Sequence, residues 1–126
     1  MHGVITDLKV KNIFRVKKKR ALEFSPGLYY GEGIHPDDLE KLKDKIRFKP
    51  LLSNVFLLIL PENDFDQIEI LSSRLFIQPY YGDHPVKVVG IANDRSDAVA
   101  LVLKITEDCL AIRKDCNLKE FLEWQS

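Results

Sequence analysis

A small single α/β domain with a mixed sheet is the fold this sequence predicts, and three observations carry the prediction. Residues 54–60, Asn-Val-Phe-Leu-Leu-Ile-Leu, run continuously apolar up to Pro61, the pattern of a strand covered on both faces. Ala98, Leu101, Val102, Ile105, Cys109 and Ile112 recur at full helical spacing within residues 94–113. Between them, Val86-Lys87-Val88-Val89-Gly90-Ile91-Ala92 makes strand and helix alternate, the signature of a parallel βαβ unit. At 126 residues, with 45% hydrophobic and 30% charged, the chain 1–126 is one domain with apolar material enough for a core.

From the N-terminus, the apolar residues of 5–24 recur too irregularly for a helix face. Ile13-Phe14-Arg15-Val16 and Ala21-Leu22-Glu23-Phe24 fit two short antiparallel strands at one sheet edge, and Ser25-Pro26-Gly27 reads as a turn. A helix over about 36–48 opens at His35-Pro36-Asp37-Asp38. Proline suits the first helical position, and the two aspartates favour the positive end of the helix dipole. Leu39, Leu42 and Ile46 form its apolar face, Asp37 and Lys41 are spaced to pair, and Pro50 stops it. After the strand 54–60, Asn63 caps a second helix over about 64–77 with Phe65, Ile68, Leu71 and Leu75 on one side. The strand 86–92 is then expected to run parallel to 54–60. Asn93 or Asp94 caps the helix 94–113, and Asn117 caps a short helix 117–124 bearing Leu118, Phe121, Leu122 and Trp124.

All four tyrosines fall in two copies of one triplet: Tyr29-Tyr30-Gly31-Glu32-Gly33-Ile34-His35-Pro36 and Tyr80-Tyr81-Gly82-Asp83-His84-Pro85. Two such loops brought together would build one pocket. Tyr30 and Tyr81 would stack a flat ligand there, with Glu32, His35, Asp83 and His84 placed for proton transfer or metal binding. The plainer reading is two unrelated turns, each half-burying an aromatic ring. Gly31-Glu32-Gly33 before a helix resembles a phosphate cradle. It lacks the third glycine and the Gly-Lys-Ser/Thr of the nucleotide fingerprints, and Glu32, Asp37 and Asp38 would repel a phosphate. Parallel strands would also bring residues 61–64 and 92–96 to one end of the sheet. Glu62, Asp64 and Asp94 could then gather a divalent cation, and Arg95 and Ser96 an anion. Helix capping explains these residues and is the favoured reading, except for Arg95, a cation in a first helical turn.

No metal and no cofactor are expected. His2, His35, His84, Cys109 and Cys116 contain no close ligand pair, and two cysteines are too few for a thiolate zinc site. No serine stands between glycines, and neither cysteine neighbours an obvious base. Whether the chain is an enzyme is therefore left open.

Charge adds one asymmetry. The 19 basic and 19 acidic residues cancel overall, yet residues 1–50 hold 12 basic and 7 acidic ones. Seven of the basic residues lie between Lys9 and Arg20, including Lys17, Lys18, Lys19 and Arg20. Such a strip can neutralise phosphates in a sequence-blind, salt-dependent way. Protection of an exposed sheet edge uses the same residues and is favoured, since the chain is neutral and lacks a nucleic-acid-binding pattern.

The helix 94–113 carries more apolar surface than one sheet needs. Val99, Leu103 and Leu110, with Thr106 between, form a second stripe at i, i+4, i+7 and i+11. Either the short C-terminal helix folds back over it, or a second copy of the chain covers it in a homodimer, with Trp124 near the axis. The absence of an apolar run long enough to cross a bilayer, of an export signal and of many cysteines points to a soluble, cytoplasmic protein. The reading that emerges is a non-enzymatic binding or self-associating module. Its competitors are a ligand-binding protein or enzyme with a pocket between loops 29–36 and 80–85, and nucleic-acid binding through residues 9–20.

Overall fold

A computed structural model describes residues 15–63 and 66–125. Four strands, β1 (Leu22–Tyr30), β2 (Phe56–Leu60), β3 (Glu69–Ser72) and β4 (Val86–Ala92), form one sheet in the order β1-β4-β2-β3. Five α-helices accompany it: α1 (Leu39–Phe48), α2 (Pro50–Ser53), α3 (Tyr80–Asp83), α4 (Arg95–Arg113) and α5 (Leu118–Gln125). Two 3-10 turns occur at Pro36–Asp38 and Ser73–Ile77. The α/β class and the mixed sheet are as the sequence predicts.

Helices cover the sheet on both faces. On one, Leu58, Leu60 and Val89 pack with Ala98, Leu101, Ile105 and Cys109 of α4 and with Phe121 and Leu122 of α5. On the other, Leu57, Ile59, Val88 and Ile91 pack with Ile46 of α1, Val55 and Phe76. Strand geometry alternates Leu57 and Ile59 against Leu58 and Leu60, so the unbroken apolar run of β2 fills two cores at once. On β4 the alternation is reset by a bulge. Leu58 faces Gly90 but Ile59 faces Val88, leaving Val89 as the extra residue, so Val88 and Ile91 share a face although three residues apart.

Strand direction departs from expectation. β2 and β4, expected to run parallel, are antiparallel neighbours; the parallel pair is β1 with β4. The cause lies in residues 64–77, expected as a crossover helix. There the chain forms β3, hydrogen-bonded antiparallel to β2, and then a 3-10 turn. A third strand in place of a helix reverses the chain once more, which flips the polarity of β4. Ser73 fixes this course: its buried hydroxyl accepts from the Val55 N–H at 3.1 Å and shares a 2.7 Å hydrogen bond with Ser53.

The N-terminal edge also differs. Residues 15–21 form no strand; their backbone is held by the Phe48 and Arg47 carbonyls at the end of α1 and by Tyr81 of α3. Residues 9–14 lie outside the described residues. β1 occupies the edge but runs parallel to β4, and Ser25-Pro26-Gly27 is an irregularity within it, not a turn. Phe24 faces Val88 and Tyr29 faces Gly90, so four residues of β1 bulge out opposite Val89 alone. Proline, which cannot donate to a ladder, is tolerated on such an edge.

Candidate functional site

The first Tyr-Tyr-Gly segment ends β1 and passes over the first turn of α4. Asp94 caps that helix, accepting from the Asp97 N–H at 2.8 Å. The Asp97 carboxylate turns back to accept from the Asn93 N–H at 2.9 Å and the Gly33 N–H at 3.3 Å. A Cβ on Gly31 would lie 2.1 Å from Asp97 Oδ2, and one on Gly33 would lie 2.6 Å from Asn93 Cβ. Both glycines are therefore required by close approach. The Gly-Glu-Gly cradle does hold an anion, and the anion is the chain's own Asp97. Glu32 and Tyr30 are exposed beside it. Tyr29 is half-buried and donates its hydroxyl to Asp108 at 3.0 Å. Burial first, then that carboxylate, push its pKa up to about 12.

The second segment is α3, at the amino end of β4. The His84 ring stacks on Tyr80 with centroids 3.8 Å apart and planes within 2°. Nδ1 of His84 donates to the Tyr80 carbonyl at 2.8 Å, since a carbonyl only accepts, which leaves Nε2 as the acceptor in the neutral ring. Tyr81 packs edge-on against the buried Phe76. Asp83 pairs with Lys18, whose ammonium holds the carboxyl below the usual carboxylate range.

These loops do not converge. Because β1 and β4 run parallel, a loop after β1 and a loop before β4 lie at opposite ends of the sheet. Tyr80, Tyr81 and His84 line a groove of about 610 Å³ with Glu23, Lys87 and Glu123. His35 lines a separate hollow of about 350 Å³ at the other end, with Lys41, Lys45 and Asn93. The single pocket that the alternative reading places between loops 29–36 and 80–85 is not formed. Among the described residues no serine, threonine or cysteine lines either hollow, so no Ser-His or Cys-His pair is placed there.

The acidic cluster is separated for the same kind of reason. With β2 antiparallel to β4, Glu62 follows the end that faces Lys87, whereas Asp94 follows the end that faces Phe56. Asp64 lies outside the described residues. No metal-binding group of His, Cys, Asp and Glu occurs among the described residues. Arg95 is exposed and makes no ion pair among them. The Asp37–Lys41 pair is also absent: Asp37 sits 3.6 Å from the His35 ring instead.

The basic strip is only partly free. Arg20 is 5% exposed and its guanidinium is spent on backbone carbonyls: Lys18 at 2.6 and 3.0 Å, and Gln78 at 2.8 Å. It is an internal tie between the N-terminal segment and the start of α3, so it is unavailable as a phosphate contact. Lys17, Lys18 and Lys19 are exposed, with Lys18 engaged by Asp83.

Among the described residues nothing covers the outward stripe of α4. Val99, Leu103 and Leu110 are 48%, 61% and 43% exposed. α5 does not fold over them, because Leu118, Phe121 and Leu122 are buried in the sheet-facing cluster. The Trp124 side chain lies outside the described residues. Ile112, expected on the sheet-facing side, is exposed as well.

Sequence reasoning did not single out Asp97 as the anion in the glycine loop, nor the grouping of Lys41, Lys45, His35 and Asn93. The one signal available for the second was that Lys41 and Lys45 stand one turn apart on α1. Among the described residues no helix is long and apolar enough to cross a membrane. No family model, curated protein or solved structure matches this chain.

Proposed function

We propose that this protein is a self-associating module that works as an isologous homodimer joined through the outward stripe of α4. The observation that carries the reading is the exposure of Leu103 on a helix whose other apolar stripe is already buried. A second α4 suits the stripe better than an unrelated surface, because the stripe is complementary to itself. With two such helices antiparallel, Val99 faces Leu110 and Leu103 faces Thr106 about a two-fold axis. The Thr106 hydroxyl is satisfied by the Val102 carbonyl at 2.8 Å, which frees its methyl group for the seam. Lys104 and Glu107, exposed on one flank, then meet their opposites across the axis. A cytoplasmic setting accords with the free, exposed thiol of Cys116.

Sedimentation velocity at about 50 µM tests the proposal, a concentration at which a micromolar dimer is assembled. The wild type is expected at twice its chain mass of 14.6 kDa, and Leu103→Glu as a folded monomer. A wild type that sediments as a monomer overturns it.

A further inference from the structure

The hollow of about 350 Å³ at the carboxyl ends of the parallel pair β1 and β4 has the chemistry of a small-anion site. Its floor is apolar: Ile34 and Val55 are 8% and 5% exposed, and Leu42 is half-buried. Its rim carries the donors Lys41, Lys45, His35 and Asn93 beside the carboxylate of Asp38, with Asp37 next to the His35 ring. Along α1, Lys43 and Arg47 are engaged by Glu40 at 2.9 Å and Asp44 at 3.4 Å, and both lie over the Phe24 ring. Lys41 and Lys45, one turn apart on the side that lines the hollow, have no carboxylate partner among the described residues. His35 Nδ1 accepts from the Asp37 N–H at 3.2 Å, so the neutral ring carries its proton on Nε2 and offers a further donor. The Asn93 N–H is committed to Asp97, whereas its side-chain amide has no partner among the described residues.

We propose that this hollow binds a small monocarboxylate with an apolar body. Two ammonium groups, an imidazole N–H and an amide suit the two acceptor oxygens of a carboxylate. Asp38, the one acidic side chain among the described residues that line the hollow, offsets one lysine and leaves a single net positive charge. That balance favours a monoanion over a dianionic phosphate, which would also find no donors on the apolar floor. The volume lies at the lower end of the roughly 300–1,000 Å³ range of ligand sites, enough for a ring or a short branched chain.

Titration of the ¹⁵N-labelled protein with sodium benzoate to about 10 mM, followed by amide shifts, tests the proposal directly. Saturable shifts are expected at Gly33, Ile34 and Asn93. Binding should weaken about tenfold or more in Lys41→Met/Lys45→Met, whose exposed positions leave the fold intact. Inorganic phosphate and benzyl alcohol should each bind at least about tenfold more weakly than benzoate, since one lacks the apolar body and the other the charge. Absence of localised shifts overturns the site, as does a double variant that binds like wild type. Phosphate binding as tightly as benzoate overturns the ligand class. Leu103→Glu should bind benzoate normally, which separates this site from the α4 interface.

Discussion

Along α4, Ala98, Leu101, Ile105 and Cys109 are 0–3% exposed, whereas Val99, Leu103 and Leu110 on the same helix are 43–61% exposed. The two stripes have nearly the same composition and helical spacing, so hydrophobicity alone does not say which one is the core. The difference is what stands opposite. The first stripe meets Leu58, Leu60 and Val89 of the sheet and is closed at its end by Phe121 and Leu122 of α5. The second has nothing against it among the described residues. Between them runs a third, polar flank, where Asp97 and Asp108 tie α4 to the turn after β1 and to Tyr29. The fold should therefore respond to the same substitution very differently on each side.

The largest effect belongs to the sheet-facing stripe. Ile105→Ala removes a fully buried side chain and leaves a cavity, which should cost about 2–5 kcal/mol in urea unfolding. A cost near zero would show that α4 does not carry the core. Gly31→Ala tests the polar flank at its tightest point. The new methyl group would meet the Asp97 carboxylate and displace it from the Asn93 and Gly33 N–H groups, for a loss of about 1–3 kcal/mol. If the loss is steric, Asp97→Ala in the same chain should relieve part of it.

Tyr29 gives a smaller and pH-dependent effect. Tyr29→Phe should cost about 0.5–1.5 kcal/mol near neutral pH through the lost hydrogen bond to Asp108. The phenol pKa is raised to about 12 in the folded protein, against an unfolded value near 10, so the folded state holds the proton more tightly. The contribution of Tyr29 is then fully present below pH of about 10 and is lost as the pH rises toward about 12. Ultraviolet titration should find a late-ionising tyrosine in the wild type that Tyr29→Phe removes. The smallest effect is expected on the outward stripe. Leu103→Ala, measured below about 1 µM where a weak dimer is dissociated, should alter unfolding by no more than about 0.5 kcal/mol. A large loss in the monomer would mean that the stripe is covered within the chain.

Cysteine reactivity offers a chemical check on the same contrast. Cys109 faces the core, and burial first, then the Asp115 carboxylate, push its thiol pKa upward. A thiol reagent at neutral pH should modify the exposed Cys116 quickly and reach Cys109 only on unfolding.

The residues themselves determined much of this molecule. An unbroken apolar run told that residues 56–60 would be covered on both faces, because every side chain of such a strand must leave water. Helical spacing and a capping aspartate placed α4 to within a residue, and spacing placed α1 except for Pro36–Asp38, which form a 3-10 turn, because those signals are local. Surplus apolar positions on α4 also pointed to a second stripe. Only the tertiary structure decided direction and neighbourhood. Whether residues 69–72 became a strand or part of a helix depended on the free edge of β2, and that choice reversed β4 against β2. Once β4 ran parallel to β1, the two Tyr-Tyr-Gly segments were sent to opposite ends of the sheet, however similar their sequences. Arg20 shows the same limit in one side chain. In sequence it is the last of four consecutive cations, and only folding brings the Gln78 carbonyl, 58 residues away, within 2.8 Å of its guanidinium.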